Sequence, residues 1–350
     1  MLTERKQYCG GVRTAPNPLI QKTVDESIID PPKTPSKDPS KTPADLPFIL
    51  TPRPVFGLFL MQRYRFLTID QFARGSDLYR SRAADKLRLF EKHGLLGHFG
   101  NTRLLGHGKT PKAYFLTRKG YELLREESGL PEHLLGEFTA VKVEARWSAQ
   151  MYHRLRTVDL LISLENAVRN RPRLTIVRTF LEYKRIPKGN LFVRETADYV
   201  DAIESAENVL VPDAAFILEN RETGKRALFF LEMDMATERI VSTGLRETRL
   251  SLHYKFAQYD RYLNSMRYAQ KYKDYGDFGY FTMLFVTFGE ERVQNIRSEM
   301  RDLSAELADY YRLTTFEKAM NDFLAGNWHS RSLSDTTVYP LVREEVSGSG

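Results

Sequence analysis

Hydrophobic positions between Pro54 and Leu124 recur first at helical spacing and then in two short alternating runs. This pattern predicts three helices, two strands and a further helix. Thr68 suits the N-cap of the second helix, and the third helix is predicted from Ser81 to Lys92 with a turn at Gly94. The core-facing positions predicted on the third helix are Ala84, Leu87 and Phe90.

The two short runs, Leu95–Phe99 and Ala113–Thr117, read as the arms of a hairpin with a glycine-rich basic tip between Gly100 and Lys109. Three helices followed by a hairpin is the order of a winged helix-turn-helix domain. In that fold the third helix enters the major groove, and the wing touches phosphate or the minor groove. The alternative is a winged helix that docks a protein.

A second periodic region begins after a linker containing Gly129, Pro131 and Gly136. Its predicted elements are a helix at Ser148–Arg169, strands at Leu174–Tyr183, Val209–Leu218 and Arg226–Asp234, a helix at Gly244–Lys271, a strand at Phe281–Phe288 and a helix from Glu290. The order α-β-β-β-α-β is the common core of the PD-(D/E)xK nuclease-like fold, a central mixed sheet with helices on both faces. The fold class expected is therefore α/β with an N-terminal winged helix.

Length and composition support this division. A chain of 350 residues with 42% hydrophobic content can build two domains. The predicted boundaries are a disordered proline-rich arm at 1–47, the winged helix-turn-helix at 48–128, the nuclease-like domain at 140–330 and a tail at 331–350.

The positive charge is concentrated in the first domain. The chain carries a formal net charge of +7, whereas Leu50–Arg125 holds fifteen Lys or Arg against five Asp or Glu, a local balance of +10. Phosphate neutralisation supplies most non-specific affinity for DNA, so this region is expected to bind double-stranded DNA. The candidate DNA-binding residues are Arg80, Arg82, Lys86, Arg88, Arg103, Lys109 and Lys112.

The sequence does not have the features of a disulfide-bonded, cysteine–zinc or membrane protein. Cys9 is the single cysteine, which excludes a disulfide framework or a cysteine zinc site within the chain. No apolar run approaches the roughly 18 residues of a membrane helix, and Met1–Tyr8 is polar. We therefore expect a cytoplasmic protein without a membrane partner.

Three acids stand at the ends of two neighbouring predicted strands: Asp213 after Pro212, and the pair Glu232 and Asp234. Side chains alternate along a strand, so Glu232 and Asp234 share one face, and Asp213 can lie beside them. Converging carboxylates suit Mg²⁺ or Mn²⁺, which prefer oxygen ligands. The alternative is that these acids cap a turn and mark the solvated end of a strand.

Four short segments resemble the replication-relaxation family of plasmid and mobile-element proteins, which is related to MobC-type relaxases. They are His153–Asp159, Pro212–Phe216, Phe230–Asp234 and Lys255–Tyr259. The resemblance covers about Leu50 to Trp328 and implies a protein that binds a plasmid origin and nicks or relaxes supercoiled DNA.

By the same resemblance, Asp213 and Glu232 are metal ligands, and Asp234 stands where many relatives have lysine. Lys255 on the next helix can supply the missing ammonium, and Glu165 a further acid. Lys255 can equally be a solvated helix position, and His153 a hydrogen-bonding histidine. A cluster of tyrosines, Tyr254, Tyr259, Tyr262, Tyr268, Tyr272 and Tyr275, raises the alternative of a tyrosine nucleophile.

The function expected from the sequence is site-directed, metal-dependent nicking of plasmid or mobile-element DNA. The catalytic set is Asp213, Glu232, Asp234, Lys255 and Glu165, with the metal on Asp213, Glu232 and Asp234. One alternative is a non-catalytic DNA-binding replication or transcription regulator that keeps the nuclease scaffold; another is a docking platform for partner proteins. Other replication or transfer proteins are expected partners, and a homodimer is compatible with the sequence.

Overall fold

The computed structural model of the protein describes residues 52–100, 103–104, 108–130, 135–141, 147–188, 191–236, 239–241, 251–325 and 327–342. The predicted arm at 1–47 lies outside the described residues, as does part of the basic tip. No described helix has the length and apolar character needed to cross a membrane.

Within its described residues, the N-terminal unit contains four helices and two small hairpins. Its elements are α1 (Pro52–Tyr64), α2 (Ile69–Gly75), α3 (Arg80–Lys92), β1 (Leu96–Phe99), β2 (Arg103–Leu104), β3 (Gly108–Lys109), β4 (Ala113–Leu116) and α4 (Arg118–Ser128). Strands β1 and β4 pair antiparallel, and β2 pairs with β3.

Local sequence explains where these helices begin. Thr68 forms a capping box with Gln71 at the start of α2, and Thr117 caps α4 through the backbone N–H of Gly120. On α3 the buried positions are Ala83, Leu87 and Phe90, so the prediction of Ala84 as a core residue was wrong by one position. Both spacings fit a helix, and only packing against α2 decides between them.

The C-terminal part is a mixed α/β unit. Its helices are α5 (Ala149–Arg169), α6 (Leu252–Ser265), α7 (Arg267–Lys271), α8 (Glu290–Glu299) and α9 (Phe316–Asn321). Its strands are β5 (Leu174–Leu181), β6 (Arg185–Lys188), β7 (Leu191–Arg194), β8 (Asp198–Tyr199), β9 (Val209–Leu210), β10 (Ala214–Asn220), β11 (Arg226–Met233), β12 (Phe281–Thr287), β13 (Tyr311–Thr315), β14 (Trp328–Ser330) and β15 (Val338–Tyr339).

Seven of these strands form the central sheet in the order β15-β14-β13-β12-β11-β10-β5. Strands β11, β12 and β13 run parallel, whereas the pairs β5–β10, β10–β11, β13–β14 and β14–β15 are antiparallel. The prediction of a mixed α/β protein with a central mixed sheet and helices is confirmed.

Two predicted elements are divided. The strand predicted at Val209–Leu218 is β9 followed by β10, because Pro212 between them has no N–H to donate to a strand ladder. The helix predicted to reach Lys271 breaks at Met266, whose φ of 56° is left-handed, so α6 and α7 are separate. The hairpins β6–β7 and β8–β9 were not predicted.

Helix α5 lies between the sheet and the N-terminal unit. It contacts α2 on one side and β5 and β11 on the other, and it is buried nearly all round. One hydrophobic cluster therefore runs from α1 through α5 to one face of the sheet, while the other face packs on α6, α7 and α8. The N-terminal unit and the sheet share a continuous core.

Candidate functional site

Asp213 directly precedes β10, and hydrogen bonds to backbone carbonyl oxygens hold this part of the chain in place. The carbonyl oxygen of Pro212 accepts a hydrogen bond from Thr196 at 2.7 Å, and that of Asp213 accepts one from the Glu182 N–H at 3.2 Å. The antiparallel register pairs Ala214 with Leu231, so the next step along the two strands brings Asp213 beside Glu232. The Asp213 carboxylate also accepts a bond from the Met233 N–H at 2.8 Å.

Glu232 lies near the end of β11 and is only 2% exposed. Its side chain faces α6, where the Tyr259 hydroxyl donates to Oε1 at 2.6 Å and the Lys255 Nζ lies 3.4 Å from Oε2. Lys255 and Tyr259 are four residues apart and so lie on one face of α6. The Ser251 hydroxyl accepts a bond from the Tyr254 N–H and so caps the start of this helix.

Asp234 follows β11 and has a different set of partners. Its N–H donates to Val286 O at 2.8 Å, which continues the ladder with β12. Its carboxylate, 1% exposed, accepts bonds from the Thr287 hydroxyl at 2.6 Å and from Arg292 Nε and Nη2 at 2.6 and 3.2 Å. Arg292 on α8 therefore neutralises the charge of Asp234.

His153, on the second turn of α5, lies against the Asp213 carboxylate. Its Nε2 lies 2.7 Å from Met233 O and 3.1 Å from Asp213 Oδ2. Burial alone would lower the pKa of His153, but attraction to Asp213, hydrogen bonds to Asp213 and Met233 O, and the charge of Glu232 raise it from 6.5 to about 9. The imidazolium therefore donates to both oxygens at neutral pH.

The Asp213 carboxyl is ionised for the complementary reason. Burial would raise its pKa, whereas the charge and hydrogen bond of His153, the charge of Lys255 and the Met233 N–H together hold the pKa below the usual 3.8. Two adjacent carboxylates, Asp213 and Glu232, thus face two protein cations, His153 and Lys255.

This donor set matches part of what a divalent cation needs. Within the described ranges no group of three or more His, Cys, Asp or Glu side chains is arranged to hold a metal. Mg²⁺ is commonly held by only one or two carboxylates, with water and substrate phosphate completing its shell. Asp213 Oδ2 is engaged, while its Oδ1 makes no hydrogen bond within the described part of the chain. Two neighbouring carboxyl groups, with Asp213 Oδ1 making no hydrogen bond to a described residue, fit a shared, partly hydrated ion.

A sequence profile described as replication-relaxation matches residues 58–277. The match runs from α1 to just before β12 and includes Asp213, Glu232 and Lys255. The chain belongs to the replication-relaxation family. No curated protein matches the chain. Membership indicates a role in the replication or relaxation of DNA.

All three acids lie within the matched segment, but only some of their partners do. Lys255 and Tyr259, the partners of Glu232, lie inside the replication-relaxation segment. Thr287 and Arg292, the partners of Asp234, lie beyond it.

Glu165 lies away from Asp213, Glu232 and Asp234. It lies twelve residues beyond His153 on α5, about 18 Å along the helix axis at 1.5 Å per residue. Its carboxylate accepts a bond from the Tyr64 hydroxyl at 2.6 Å and pairs with Arg63 at 2.8 Å. Glu165 therefore fastens α1 to α5.

The candidate DNA-binding residues fall into three groups. On α3, Arg80 and Arg88 are exposed and pair with Asp70 and Asp85, while Arg82 and Lys86 make no ion pair among the described residues. Lys112, beside β4, lies with its Nζ 5.9 Å from the Tyr114 ring centre. Arg103 and Lys109 are opposite each other in the β2–β3 pair.

The tyrosine alternative has little support in the geometry. Tyr259, Tyr262, Tyr268 and Tyr272 are buried, and burial is the first cause that raises the pKa of each phenol. A buried, protonated phenol is a poor nucleophile. Tyr254 and Tyr275 are half-buried.

Sequence reasoning missed Thr287 and Arg292 as partners of Asp234. Thr287 is a polar residue at the end of an apolar strand, which is a weak signal. The link between it and Asp234 depends on β11 pairing in parallel with β12, and parallel neighbours cannot be read from a hydrophobic pattern.

Proposed function

We propose that this protein is a site-directed endonuclease that nicks plasmid or mobile-element DNA with Mg²⁺ or Mn²⁺. The observation that carries the proposal is the convergence of Asp213, Glu232 and Lys255. Two carboxylates from adjacent strands meet an ammonium from α6, which lies 3.4 Å from Glu232 and also lowers the pKa of Asp213. An acid pair with a nearby lysine is the chemical set that PD-(D/E)xK nucleases use.

The two parts of the fold would have different roles in this reaction. The N-terminal unit, whose order of three helices and a hairpin is that of a winged helix, would select the DNA site through the basic face of α3. The mixed sheet flanked by α5 and α6 would serve as a PD-(D/E)xK scaffold. One acid site per chain suits a nick in one strand, and a homodimer would be needed for a double-strand break.

The roles of the side chains follow from their contacts. Asp213 and Glu232 would hold the metal, which when bound polarises the scissile phosphate and lowers the pKa of its water. Lys255 would stabilise negative charge on the phosphate, and the Tyr259 hydroxyl orients Glu232. His153 keeps Asp213 ionised and in place. Asp234, committed to Arg292 and Thr287, would support the end of β11 rather than bind the metal.

The test uses supercoiled plasmid carrying the element origin, with Mg²⁺ or Mn²⁺, and gel separation of nicked from supercoiled DNA. Asp213→Asn and Glu232→Gln should reduce nicking at least about 100-fold, because each removes ligand charge. Glu222→Gln, in the turn at the opposite end of β10, is the matched control and should cut normally. If the parent leaves the plasmid intact, or the two variants cut as well as it does, the enzymatic proposal fails.

A second function is favoured by a specific observation: all three acids already have protein cations as partners, His153 and Lys255 for Asp213 and Glu232, and Arg292 for Asp234. A charge-balanced scaffold needs no metal, which describes a non-catalytic DNA-binding regulator. Calorimetric titration with Mn²⁺ distinguishes the two. Binding that disappears in Asp213→Asn supports the nuclease, and absence of binding in the parent supports the regulator.

A further inference from the structure

Two arginines at the junction between the N-terminal unit and α5 form no ion pair with an acid of the described residues. Arg65 directly follows α1, and Arg154 follows His153 on α5. Both are half-buried, and neither side chain makes a hydrogen bond or an ion pair with any described residue. Both Nε groups are buried without a hydrogen-bond partner. An unsatisfied buried donor is costly, and arginine is the residue least able to shed its charge.

Two arginines close to them in the sequence do have acidic partners. Arg63 pairs with Glu165, and Arg156 pairs with Asp159 at 3.1 Å. By contrast, burial lowers the pKa of Arg65, and the positive charge of Arg154 lowers it further, so the two guanidinium groups repel each other. Arg65 and Arg154 thus differ from Arg63 and Arg156, their neighbours in the sequence.

The backbone at Arg65 adds a second cost. Its φ of 63° is in the left-handed region, which is unfavourable for a residue with a side chain and ordinarily taken by glycine at a helix end. Strain of this kind persists where the surrounding structure demands it and is often found at functional sites. The Arg65 side chain lies close enough to Arg154 for the two charges to interact.

The pair borders the acid site. Arg154 stacks on the ring of Tyr183, with its Cζ 4.6 Å from the ring centre. Tyr183 directly follows Glu182, whose N–H holds the carbonyl oxygen of Asp213. On α5, the neighbour of Arg154 is His153, which contacts the Asp213 carboxylate. An anion held by the two arginines would therefore lie between the N-terminal unit and Asp213.

We propose that Arg65 and Arg154 form a phosphate clamp that holds the DNA backbone as it passes from the N-terminal unit to the acid site. Guanidinium groups match the geometry of phosphate oxygens, and one phosphodiester bound by the exposed part of both half-buried guanidinium groups would remove their repulsion. The choice of DNA as the source of phosphate rests on the proposed function. The clamp itself needs neither metal nor cleavage.

The test measures DNA binding in EDTA, so that cleavage plays no part. Arg65→Gly and Arg154→Gln are compared with the parent for affinity to a labelled duplex oligonucleotide over a series of salt concentrations. Each variant should bind several-fold more weakly and lower the slope of log K against log salt by about one phosphate contact. Arg173→Gln, which removes an exposed partner of Glu222, is the control and should match the parent.

A thermal melt of the same proteins separates a clamp from a structural role. Arg65→Gly should melt at a higher temperature than the parent, because glycine suits the left-handed backbone and the repulsion is gone. Weaker binding together with higher stability supports the clamp. Unchanged affinity and salt slope in both variants overturn it, and so does a loss of stability in both.

The two proposals fail in different ways. If the parent binds metal and nicks DNA while the arginine variants bind DNA normally, only the clamp is wrong. If no nicking is found while the variants show the reduced salt slope, only the nuclease is wrong.

Discussion

Replacement of Arg292 by methionine tests whether Asp234 is a structural acid. Arg292 reaches Asp234 through Nε and Nη2, and the Asp234 side chain is 1% exposed. Methionine keeps most of the apolar stem and removes the charge. The variant therefore leaves a buried carboxylate with its hydrogen bonds from Thr287 and the Ala236 N–H but without a counter-charge.

The expected cost follows from that geometry. Breaking a buried ion pair by removal of one partner costs about 3–5 kcal/mol, and the two remaining hydrogen bonds place this case near 3 kcal/mol. For a chain of 350 residues, whose entropy of unfolding is about 0.7 kcal/mol/K, a loss of about 3 kcal/mol lowers Tm by about 4 °C. The double variant Arg292→Met/Asp234→Asn has no isolated charge and should be more stable than Arg292→Met by about 1–2 kcal/mol.

Urea unfolding followed by tryptophan fluorescence measures these differences, and Arg173→Met is the control. Its exposed pair with Glu222 should contribute less than about 1 kcal/mol. The reasoning is refuted if Arg292→Met loses less than 1 kcal/mol, or if Asp234→Asn brings no recovery in the double variant. Either result would leave Asp234 available as the third metal ligand that the sequence suggested.

Three further predictions follow from other contacts. A double-mutant cycle of urea unfolding with Arg63→Ala and Glu165→Ala should give a coupling free energy of about 1–3 kcal/mol, because this partly buried ion pair joins α1 to α5. Additive effects of the two substitutions would show that the pair does not stabilise the fold. His153 has a folded pKa of about 9 against 6.5 unfolded, so its contribution, up to about 3 kcal/mol, should be full below about pH 6.5 and lost as the pH rises through about 9. Urea unfolding in EDTA at about pH 6 and about pH 10 checks this, and His153→Gln should flatten the difference. Tyr259→Phe removes a 2.6 Å bond to the buried carboxylate of Glu232 and should cost about 1.5–3 kcal/mol in the same assay; a loss below 0.5 kcal/mol would count against that bond.

Much of the fold could be read from local patterns. Helices begin after Thr68, Thr117 and Ser148, whose side chains accept hydrogen bonds from backbone N–H groups three residues further along the chain. The apolar runs of β10, β11 and β12 mark strands that are buried on both faces. These signals depend on residues a few positions apart, so periodicity captures them. The meeting of Asp213 with Glu232 also follows from the sequence once β10 and β11 are taken as adjacent antiparallel strands.

What the acids face was decided by tertiary structure alone. Asp234 is neutralised by Arg292, which lies 58 residues away along the chain, and Glu165 is turned toward Arg63 and Tyr64 of α1 rather than toward Asp213. Arg65 and Arg154 are ordinary basic residues in the sequence, and they become an unpaired couple only when α1 docks on α5. Charges interact through space with whatever the packing of distant helices brings near, and no local pattern carries that information.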